Sequence, residues 1–479
     1  MISPLRHIQL IKTCLAIFFI TIFWTTSLFP QDPLFNKNVE NRIIQELNQF
    51  QKRNKLISLS FSIFKGPHAD FDYAVGYANV AKEIKATPDH IYTLASVTKT
   101  ITGAVLIDLV FQNYLSLNDS ACKFIHTFPE DVTVKDLLNH TSGFLREKEN
   151  GKFLSPSSYR NVVDYLPIKF KSKIHRYANI NYAAVGAIIE KVTKRSFSEV
   201  VQEYFYQTTQ NKIYFSNHKF RRNALFVKNY VRRYRRQLLH KPVDFGLWEP
   251  AAFAQTSAKA LAKFLRYHMT PEFIAYISSN SATVQKWTSS GKTITECYAL
   301  GFRLRYVNGE LKYIYHNGFL YGVLSTLYYF PKKDIGFVAL SNMSSYPKRT
   351  LTLNRIYKIV ERIIDEEFNL AIANYTIEHG YEAGIAYYEK HKHDGELIAT
   401  MIDEIARKYL KEGQEIEAIS LFKLNNYVFP NSGSTYESLG AAYMKNGYHE
   451  LAIETLKRGL EIDPNMATSI KMLKKLSVQ

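Results

Sequence analysis

Strand-like segments cluster at both ends of residues 56–341, and this arrangement constrains the fold more than any other feature of the sequence. Polar and apolar residues alternate over 56–64 and again over 71–77, with Gly66 and Pro67 between the two runs. Further strands are predicted at 298–306, 312–315, 320–330 and 335–341, with turns at 308–309 and 331–334. The intervening residues, from 96 to about 275, have a mainly helical pattern. The sequence therefore predicts an α+β fold, in which one antiparallel sheet is flanked by helices and carries a helical subdomain.

Helical patterns frame this predicted domain and continue beyond it. An amphipathic helix is predicted at 38–55 and a closing helix at 350–368. From residue 369 onward, aromatic, glycine and alanine positions recur with a period of 34: Tyr409, Gly413 and Ala418 return as Tyr443, Gly447 and Ala452. This spacing resembles that of tetratricopeptide repeats, whose helix pairs stack on one another. We predict that residues 369–479 form an all-α repeat domain that binds a protein partner. A stabilising cap on the preceding domain is the alternative.

Residues 1–30 have the layout of a secretory signal peptide. Arg6 and Lys12 precede an uncharged apolar run over 14–29, and a polar exit follows at Gln31 and Asp32. We predict export, with a signal peptide or an N-terminal anchor in this segment and a periplasmic or other extracytoplasmic location. Only Cys122 and Cys297 follow the segment, so no disulfide framework is expected. No cysteine and histidine cluster has metal-ligand spacing, and neither a metal nor a cofactor is predicted.

The positive charge of the chain is concentrated in one segment. The formal net charge is +18, and Lys219 to Lys241 contains nine basic residues and no acidic one, with aromatic residues between them. For an exported chain, this composition favours contact with an anionic envelope surface, and no nucleic acid partner is expected. A solvated strand and loop with arginines lying along the surface is the simpler interpretation.

The tetrapeptide Ser96-Val97-Thr98-Lys99 immediately precedes an apolar helical run. Residues three apart on a helix share a face, so the Lys99 amine can approach the Ser96 hydroxyl. A serine hydroxyl becomes an effective nucleophile when a neighbouring base takes its proton, and a desolvated lysine can be that base. The pair therefore predicts acyl transfer. The alternative is that Ser96 only caps the helix.

Three further motifs follow in order and give the pair a context. They are Leu137-Leu138-Asn139-His140-Thr141-Ser142-Gly143, Tyr177-Ala178-Asn179 and His316-Asn317-Gly318. With Ser96-x-x-Lys99, they resemble the motifs of the serine β-lactamase and penicillin-binding protein superfamily, closest to class C β-lactamases, D-alanyl-D-alanine carboxypeptidases and related esterases. The resemblance implies that residues 35–368 form a β-lactamase/transpeptidase-like serine hydrolase domain.

The resemblance also implies the role of each motif residue. Ser96 is the expected nucleophile, Lys99 assists it, and Tyr177 is the general base and acid. Asn179 is expected to hold the lysine or the substrate amide. The backbone N–H groups of Ser96 and Phe319 are expected to form the oxyanion hole.

The third motif departs from the usual Lys-Thr-Gly of the superfamily. His316 replaces the lysine, Asn317 replaces a small hydroxyl residue, and Gly318 is expected to let the substrate backbone approach. The charge of a histidine depends on pH, so the replacement favours esters, amides or peptides over β-lactams. His140 is interpreted as a structural residue that holds loops.

The predicted function is that of an envelope serine hydrolase. It acts through a Ser96 acyl-enzyme on an amide, peptide, ester or β-lactam substrate, which is a small molecule or a peptide. The alternative is a catalytically weak penicillin-binding-like scaffold whose repeat domain binds a protein partner.

Overall fold

The structure is a computed structural model that describes residues 36–477 except 68, 145–172, 216–222, 234–235, 240–247, 290 and 347–351. The predicted signal peptide or anchor at 1–30 lies outside the described residues. Within the described part, the chain forms two compact units. One comprises residues 44–357, and the other comprises 36–43 together with 358–477.

A nine-stranded antiparallel sheet forms the framework of the first unit in the described residues. In spatial order its strands are β3 (Ile84–Lys85), β2 (Ala69–Asn79), β1 (Ser58–Lys65), β13 (Ile335–Ser341), β12 (Val323–Phe330), β11 (Glu310–Leu320), β10 (Phe302–Val307), β9 (Lys292–Ala299) and β8 (Ala282–Ser289). Strands from the start of the unit thus pair with strands from its end, because β1 lies beside β13. The predicted antiparallel sheet and α+β class are confirmed.

Short strands and a set of helices complete the first unit. A two-stranded sheet joins β4 (Tyr92–Thr93) to β7 (Gln255–Thr256), and β5 (Tyr230–Arg233) pairs with β6 (Arg236–Leu239) and with β14 (Met343–Tyr346). The helices after the initial α1 (Lys37–Asn54) are α2 (Thr98–Phe111), α3 (Val134–Leu138), α4 (Asn179–Thr193), α5 (Phe197–Thr209), α6 (Glu249–Ala252), α7 (Ala258–His268) and α8 (Pro271–Ser279).

One strand prediction was wrong. The segment 298–306 was expected to be a single strand, but it is the end of β9 and most of β10, joined by a tight turn at Leu300 and Gly301. Both turn residues have left-handed backbone angles, with φ of +50° and +109°. A two-residue hairpin turn needs such angles, and leucine rarely adopts them, so the sequence carries no ordinary turn signal here. The edge strand β8 was not predicted.

Helix α2 is buried on nearly all sides, which explains its uniformly apolar sequence. It packs closely on the β9–β10 turn through two glycines. A Cβ on Gly103 would lie 2.0 Å from the Leu300 carbonyl oxygen, and a Cβ on Gly301 would lie 2.5 Å from the Lys99 carbonyl oxygen. These distances are too short for real contacts, so both positions require glycine. The glycines thereby fix the residues at the start of α2 against the sheet.

The second unit is helical throughout its described residues after 358. Helix α9 (Ile356–His379) contains the predicted domain boundary at 368/369. It is followed by α10 (Tyr381–His391), α11 (Ala399–Lys411), α12 (Glu415–Val428), α13 (Gly433–Lys445), α14 (His449–Ile462) and α15 (Ala467–Leu476). Helices α11 to α14 form two consecutive pairs at the predicted 34-residue spacing. The all-helical class is confirmed, whereas the tetratricopeptide identity and the protein partner stay predictions.

One other prediction also remains open. In the basic segment between Lys219 and Lys241, residues 219–222, 234–235 and 240–241 lie outside the described residues, and the contact of this segment with an anionic surface stays a prediction. No helix in the described part of the chain is both long and apolar enough to cross a membrane.

Candidate active site

Ser96 lies in a short turn of 3₁₀ helix, Ala95–Val97, that leads directly into α2. The preceding Ala95 is fully buried and has a left-handed φ of +48°. The segment is held in place because the Leu94 N–H donates to the Ala254 carbonyl at 2.8 Å. The N-cap residues are Leu94 for the 3₁₀ turn and Val97 for α2, and neither forms a side-chain capping bond. Ser96 is therefore not the N-cap of α2.

Lys99 is fully buried, and its amine points at Ser96. Nζ lies 3.5 Å from Ser96 Oγ, 2.8 Å from Asn179 Oδ1 and 2.8 Å from the Ala251 carbonyl oxygen. Burial of an ionised amine costs several kcal/mol unless polar groups surround it, as these oxygens do. The structure thus brings together the predicted nucleophile and its predicted base.

Two further contacts fasten the helix that carries this pair to α6 and to the residues just after it. Thr102 Oγ1 donates to the Pro250 carbonyl at 2.7 Å, and Thr98 Oγ1 accepts from the Ala254 N–H at 3.2 Å. With the bond from Lys99 to the Ala251 carbonyl, they link successive turns of α2 to one short segment. The role of the Ala251 carbonyl was not predicted, because a backbone acceptor leaves no signal in side-chain patterns.

Tyr177 and Asn179 are brought to the same place by the start of α4. Ala178 is extended, with φ of −141°, and Asn179 is the first helical residue. The Tyr177 ring centroid lies 4.9 Å from Lys99 Nζ, so the ring faces the amine. Four of the predicted site residues therefore converge around Nζ: Ser96, Lys99, Tyr177 and Asn179.

The His316-Asn317-Gly318 motif lies in the second half of β11. The pairing of β11 with β10 reaches only as far as Tyr315, whereas β12 pairs with β11 along 314–320. Residues 316–320 consequently pair on one side only within the described sheet, and their other edge can accept an extended backbone. Phe319, the second expected oxyanion donor, lies in this half-paired segment.

Gly318 fits the site for a reason that differs from the predicted one. A Cβ there would lie 2.1 Å from Ser325 Oγ, 2.4 Å from the Leu94 carbonyl oxygen and 3.0 Å from the Ala95 Cβ. The glycine is needed because β11 packs directly on the residues that precede Ser96. The missing side chain thus brings the strand to the nucleophile.

His316 is a buried neutral group in this structure. Nδ1 donates to the Asn317 carbonyl at 2.9 Å, and the Tyr298 hydroxyl lies 3.1 Å from Nε2. Burial holds the pKa of His316 well below its usual range, and the positive charges of Arg303 and Lys99 act in the same direction. Its side chain therefore adds no positive charge at neutral pH. Asn317 contacts the protein as well, since its Oδ1 accepts from Thr326 Oγ1 at 2.5 Å.

Arg303 is a site residue that sequence reasoning missed. Its guanidinium carbon lies 5.7 Å from the Tyr177 ring centroid and 5.5 Å from that of Tyr298. Nη1 donates to Glu296 Oε1 at 2.8 Å. A cation thus lies beside the site although the motif lysine is absent. Arg303 lies in the segment 298–306, which was wrongly predicted to be one strand. In a strand with alternating polarity, the sequence does not distinguish an arginine beside a site from an ordinary surface arginine.

Glu296 forms an ion pair with Arg303. The carboxylate also pairs with Arg305 and accepts from the Tyr315 hydroxyl. Burial raises the pKa of Glu296, but the Tyr315 hydrogen bond and the two guanidinium groups outweigh the burial, so its pKa is lowered. Glu296 therefore stays ionised at neutral pH and fixes Arg303 by charge.

The sheet, the helical subdomain and the position of Ser96 and Lys99 at the start of α2 define the fold of serine β-lactamases and penicillin-binding proteins. The chain belongs to the Beta-lactamase family, whose family model matches residues 41–360. The superfamily includes serine hydrolases. This match confirms the superfamily predicted from the sequence motifs.

Individual relatives are distant. Protein flp of Staphylococcus aureus (strain MW2) is 26% identical over 342 residues, which cover 65% of this chain and 67% of the relative. For Protein flp of strain NCTC 8325 / PS 47, the match spans 62% of the relative, less than two thirds of its length. Teichoic acid D-alanine hydrolase of S. aureus (strain MRSA252) is 28% identical over 158 residues, which cover 31% of this chain and 38% of the relative.

Among solved structures, D-amino acid amidase from Ochrobactrum anthropi SV3 superposes with a TM-score of 0.58 at 18% identity, covering 70% of this chain and 99% of the amidase. At that identity the likeness shows the fold.

Proposed function

We propose that this protein is a serine hydrolase that acts through a Ser96 acyl-enzyme on an amide, peptide or ester in the cell envelope. The observation that carries the proposal is the environment of Lys99. Its amine is fully buried, lies 3.5 Å from the Ser96 hydroxyl and is oriented by two carbonyl oxygens at 2.8 Å. In the neutral amine, the two N–H groups can bind these oxygens while the lone pair faces Ser96.

Acylation follows from this geometry. The Ser96 hydroxyl proton passes to the Lys99 amine as Oγ forms a bond to the substrate carbonyl carbon, and the carbonyl electron pair moves to oxygen. The backbone N–H groups of Ser96 and Phe319 are the donors we assign to this oxyanion. The intermediate collapses to the acyl-enzyme and expels the amine or alcohol, which takes a proton from the Tyr177 hydroxyl.

Deacylation reverses the roles. A water molecule gives its proton to Tyr177 and attacks the ester carbonyl, and the acid product leaves as Ser96 Oγ regains its proton from the Lys99 ammonium. The steps use the side chains named here, the two backbone N–H groups and water. Asn179 holds Lys99 in both halves of the reaction through its Oδ1.

The charge distribution favours a substrate with a carboxylate near the reacting carbonyl. His316 is neutral, so Arg303 is the cation that we assign to this carboxylate. Within the described part of the chain, Arg303 bonds to Glu296 through Nη1, its side chain is 24% exposed, and its guanidinium lies over the Tyr177 ring. A guanidinium can bind a carboxylate through two parallel hydrogen bonds. Teichoic acid D-alanine hydrolase and D-amino acid amidase act, by their names, on D-amino acid derivatives, which supports the proposed amide or ester substrate class.

The deciding experiment labels the wild type and Ser96→Ala with a fluorophosphonate and with a fluorescent penicillin. We expect a fluorophosphonate adduct that requires Ser96, because this probe tests the activated nucleophile alone. Thermal unfolding of both proteins is the control for folding. Absence of any Ser96-dependent adduct would reject the hydrolase proposal and favour the alternative of a catalytically weak scaffold. An adduct with both probes would extend the substrate class to β-lactams.

A further inference from the structure

His140 packs against Tyr177 and takes no part in the catalytic steps proposed above. It follows α3, is fully buried and has a left-handed φ of +57°. Non-glycine residues rarely hold this backbone angle, which costs of the order of 1 kcal/mol.

His140 forms hydrogen bonds with the residues on both sides of Tyr177 in the sequence. The His140 carbonyl accepts from the Arg176 N–H at 2.7 Å. Its Nδ1 accepts from the Ala178 N–H at 3.3 Å and from the Asn181 side-chain amide at 3.1 Å. The residues immediately before and after Tyr177 are thus both bonded to the same residue.

The His140 ring also supports the Tyr177 ring directly. The two ring centroids lie 4.3 Å apart, with an interplanar angle of 39°. Lys99 Nζ lies 4.9 Å from the centroid of the same tyrosine ring. His140 therefore contacts the Tyr177 ring and bonds to the residues on both sides of it.

We propose that His140 is a positioning residue that sets the orientation of Tyr177 towards Lys99 and Ser96 through its Nδ1 acceptor. The inference rests on the proposed function, since it assigns His140 a role in the same reaction. Nδ1 faces two N–H donors, so the ring must be the neutral tautomer with its hydrogen on Nε2. A hydrogen on Nδ1 would point at the two N–H donors, and both hydrogen bonds to Nδ1 would be lost.

The surroundings keep the ring neutral. Burial holds the pKa of His140 well below its usual range, and Lys99, His175, Arg303 and His316 lower this pKa further whenever they carry a positive charge. The other titratable groups that face the ring are the phenols Tyr177, Tyr182 and Tyr298. Loss of the acceptor, rather than a change of charge, is consequently the perturbation that tests the role.

Two variants separate the acceptor from the ring. His140→Asn keeps an oxygen near the position of Nδ1 and tolerates the left-handed angle, whereas His140→Phe keeps a ring and removes the acceptor. We expect His140→Phe to lower kcat rather than KM for an amide or ester substrate by about tenfold, because two hydrogen bonds are lost. His140→Asn should stay within about threefold of the wild type.

Hydrogen–deuterium exchange over residues 173–182 gives a readout that does not depend on activity. His140→Phe should accelerate exchange there, and His140→Asn should not. A wild type that neither labels nor turns over would reject the proposed function, while the exchange data would still decide whether His140 orders this segment. Equal exchange in all three proteins would overturn the inference.

A double-mutant cycle with Tyr177→Phe distinguishes positioning from general damage to the fold. If His140 acts through Tyr177, His140→Phe should have little further effect on kcat in the Tyr177→Phe background. The matched control is His268→Phe, because His268 is also a buried histidine, bonded to Phe264 and Tyr204. It should leave kcat unchanged at equal folded fraction. An additive cycle, or an equal loss in His268→Phe, would contradict the positioning role.

Discussion

Lys99 Nζ lies 2.8 Å from Asn179 Oδ1, and this bond joins the start of α2 to the start of α4 across 80 residues of sequence. The acceptor is an uncharged amide. An amide oxygen orients the amine but does not stabilise its proton as a carboxylate would. The contact is therefore compatible with a lysine that takes up and releases a proton during turnover.

Replacing this amide by a carboxylate should slow acylation. In Asn179→Asp, an ion pair would favour the ammonium form of Lys99 and make the amine form about tenfold or more rarer at neutral pH. We expect the fluorophosphonate labelling rate to fall by that factor and to recover as the pH is raised. The measurement is the labelling rate between pH 6 and 10.

Stability is the control for this variant. An acidic residue in the first turn of α4 interacts favourably with the helix dipole, so Asn179→Asp should not unfold more easily than the wild type. An unchanged pH profile of labelling in a folded Asn179→Asp protein would mean that Lys99 does not act as the base.

Gly318→Ala should disrupt the site where β11 meets the segment before Ser96. The new Cβ would overlap the Leu94 carbonyl oxygen and Ser325 Oγ, and backbone atoms cannot move away easily. We expect a loss of about 1–3 kcal/mol in the free energy of unfolding together with loss of labelling. Urea denaturation and fluorophosphonate labelling measure the two effects.

Gly309→Ala is the matched control for that substitution. Gly309 lies in the β10–β11 turn with φ of +85° and open space around its Cβ position, so only the backbone is strained. This variant should lose about 1 kcal/mol and label at the wild-type rate. Equal labelling of both folded alanine variants would show that the close approach of β11 is not needed for the nucleophile.

Sequence patterns predicted the sheet and the proximity of Ser96 to Lys99 because both depend on local regularities. Alternating strands and a helix with Ser96 and Lys99 one turn apart are visible in the order of residues alone. Tyr177 and Asn179 were found only because they stand close together in a motif of the superfamily. Their convergence on Lys99 depends on contacts across about 80 residues, which periodicity cannot show.

The features that escaped prediction depend on tertiary structure. The turn at Leu300 and Gly301 was missed because the packing of α2 against it, and not a turn-forming residue pair, stabilises its left-handed angles. The wrong strand assignment then concealed Arg303. The burial of His316 could not be predicted from the sequence either. The motif position predicted a side chain whose charge changes near neutral pH, whereas burial in the structure keeps it neutral.

Arg303→Met should weaken binding of substrates that carry a carboxylate. Loss of a charge-assisted hydrogen bond costs about 1.5–3 kcal/mol, which corresponds to a rise in KM of about tenfold or more. KM for the same substrate with its carboxylate amidated should change little. Steady-state kinetics on D-alanyl peptides with free and amidated termini makes the comparison.

Arg305→Met is the control, because Arg305 pairs with the same Glu296 but lies over Trp287 and not over Tyr177. It removes one cation from the same cluster without touching the site. We expect its KM values to stay close to those of the wild type. A similar rise in KM for both variants would assign the effect to the charge cluster and not to a contact between Arg303 and the substrate.

Unfolding at mildly acidic pH should be governed partly by His268, which is buried between α5 and α7. Burial lowers the pKa of His268 to about 4, although its bond to the Phe264 carbonyl opposes the shift. The unfolded chain binds this proton near the ordinary pKa of 6.5, so stability is present above that pH and is lost as the pH falls. Between pH 7 and pH 5 the loss is about 2 kcal/mol. In His268→Gln this part of the acid sensitivity should disappear.

Protonation of Asp108 should change the stability in the opposite direction to protonation of His268, and it therefore provides an internal check. Burial raises its pKa to about 6, against the hydrogen bond from Gln112, so the folded state binds the proton more tightly than the unfolded chain. Its ionisation costs stability at neutral pH, and this cost disappears as the pH falls through 6. Relative to Asp108→Asn, the wild type should therefore gain about 1 kcal/mol between pH 7 and pH 5. Urea denaturation of the three proteins at both pH values measures the differences, and parallel changes in all of them would show that neither buried group governs the response to acid.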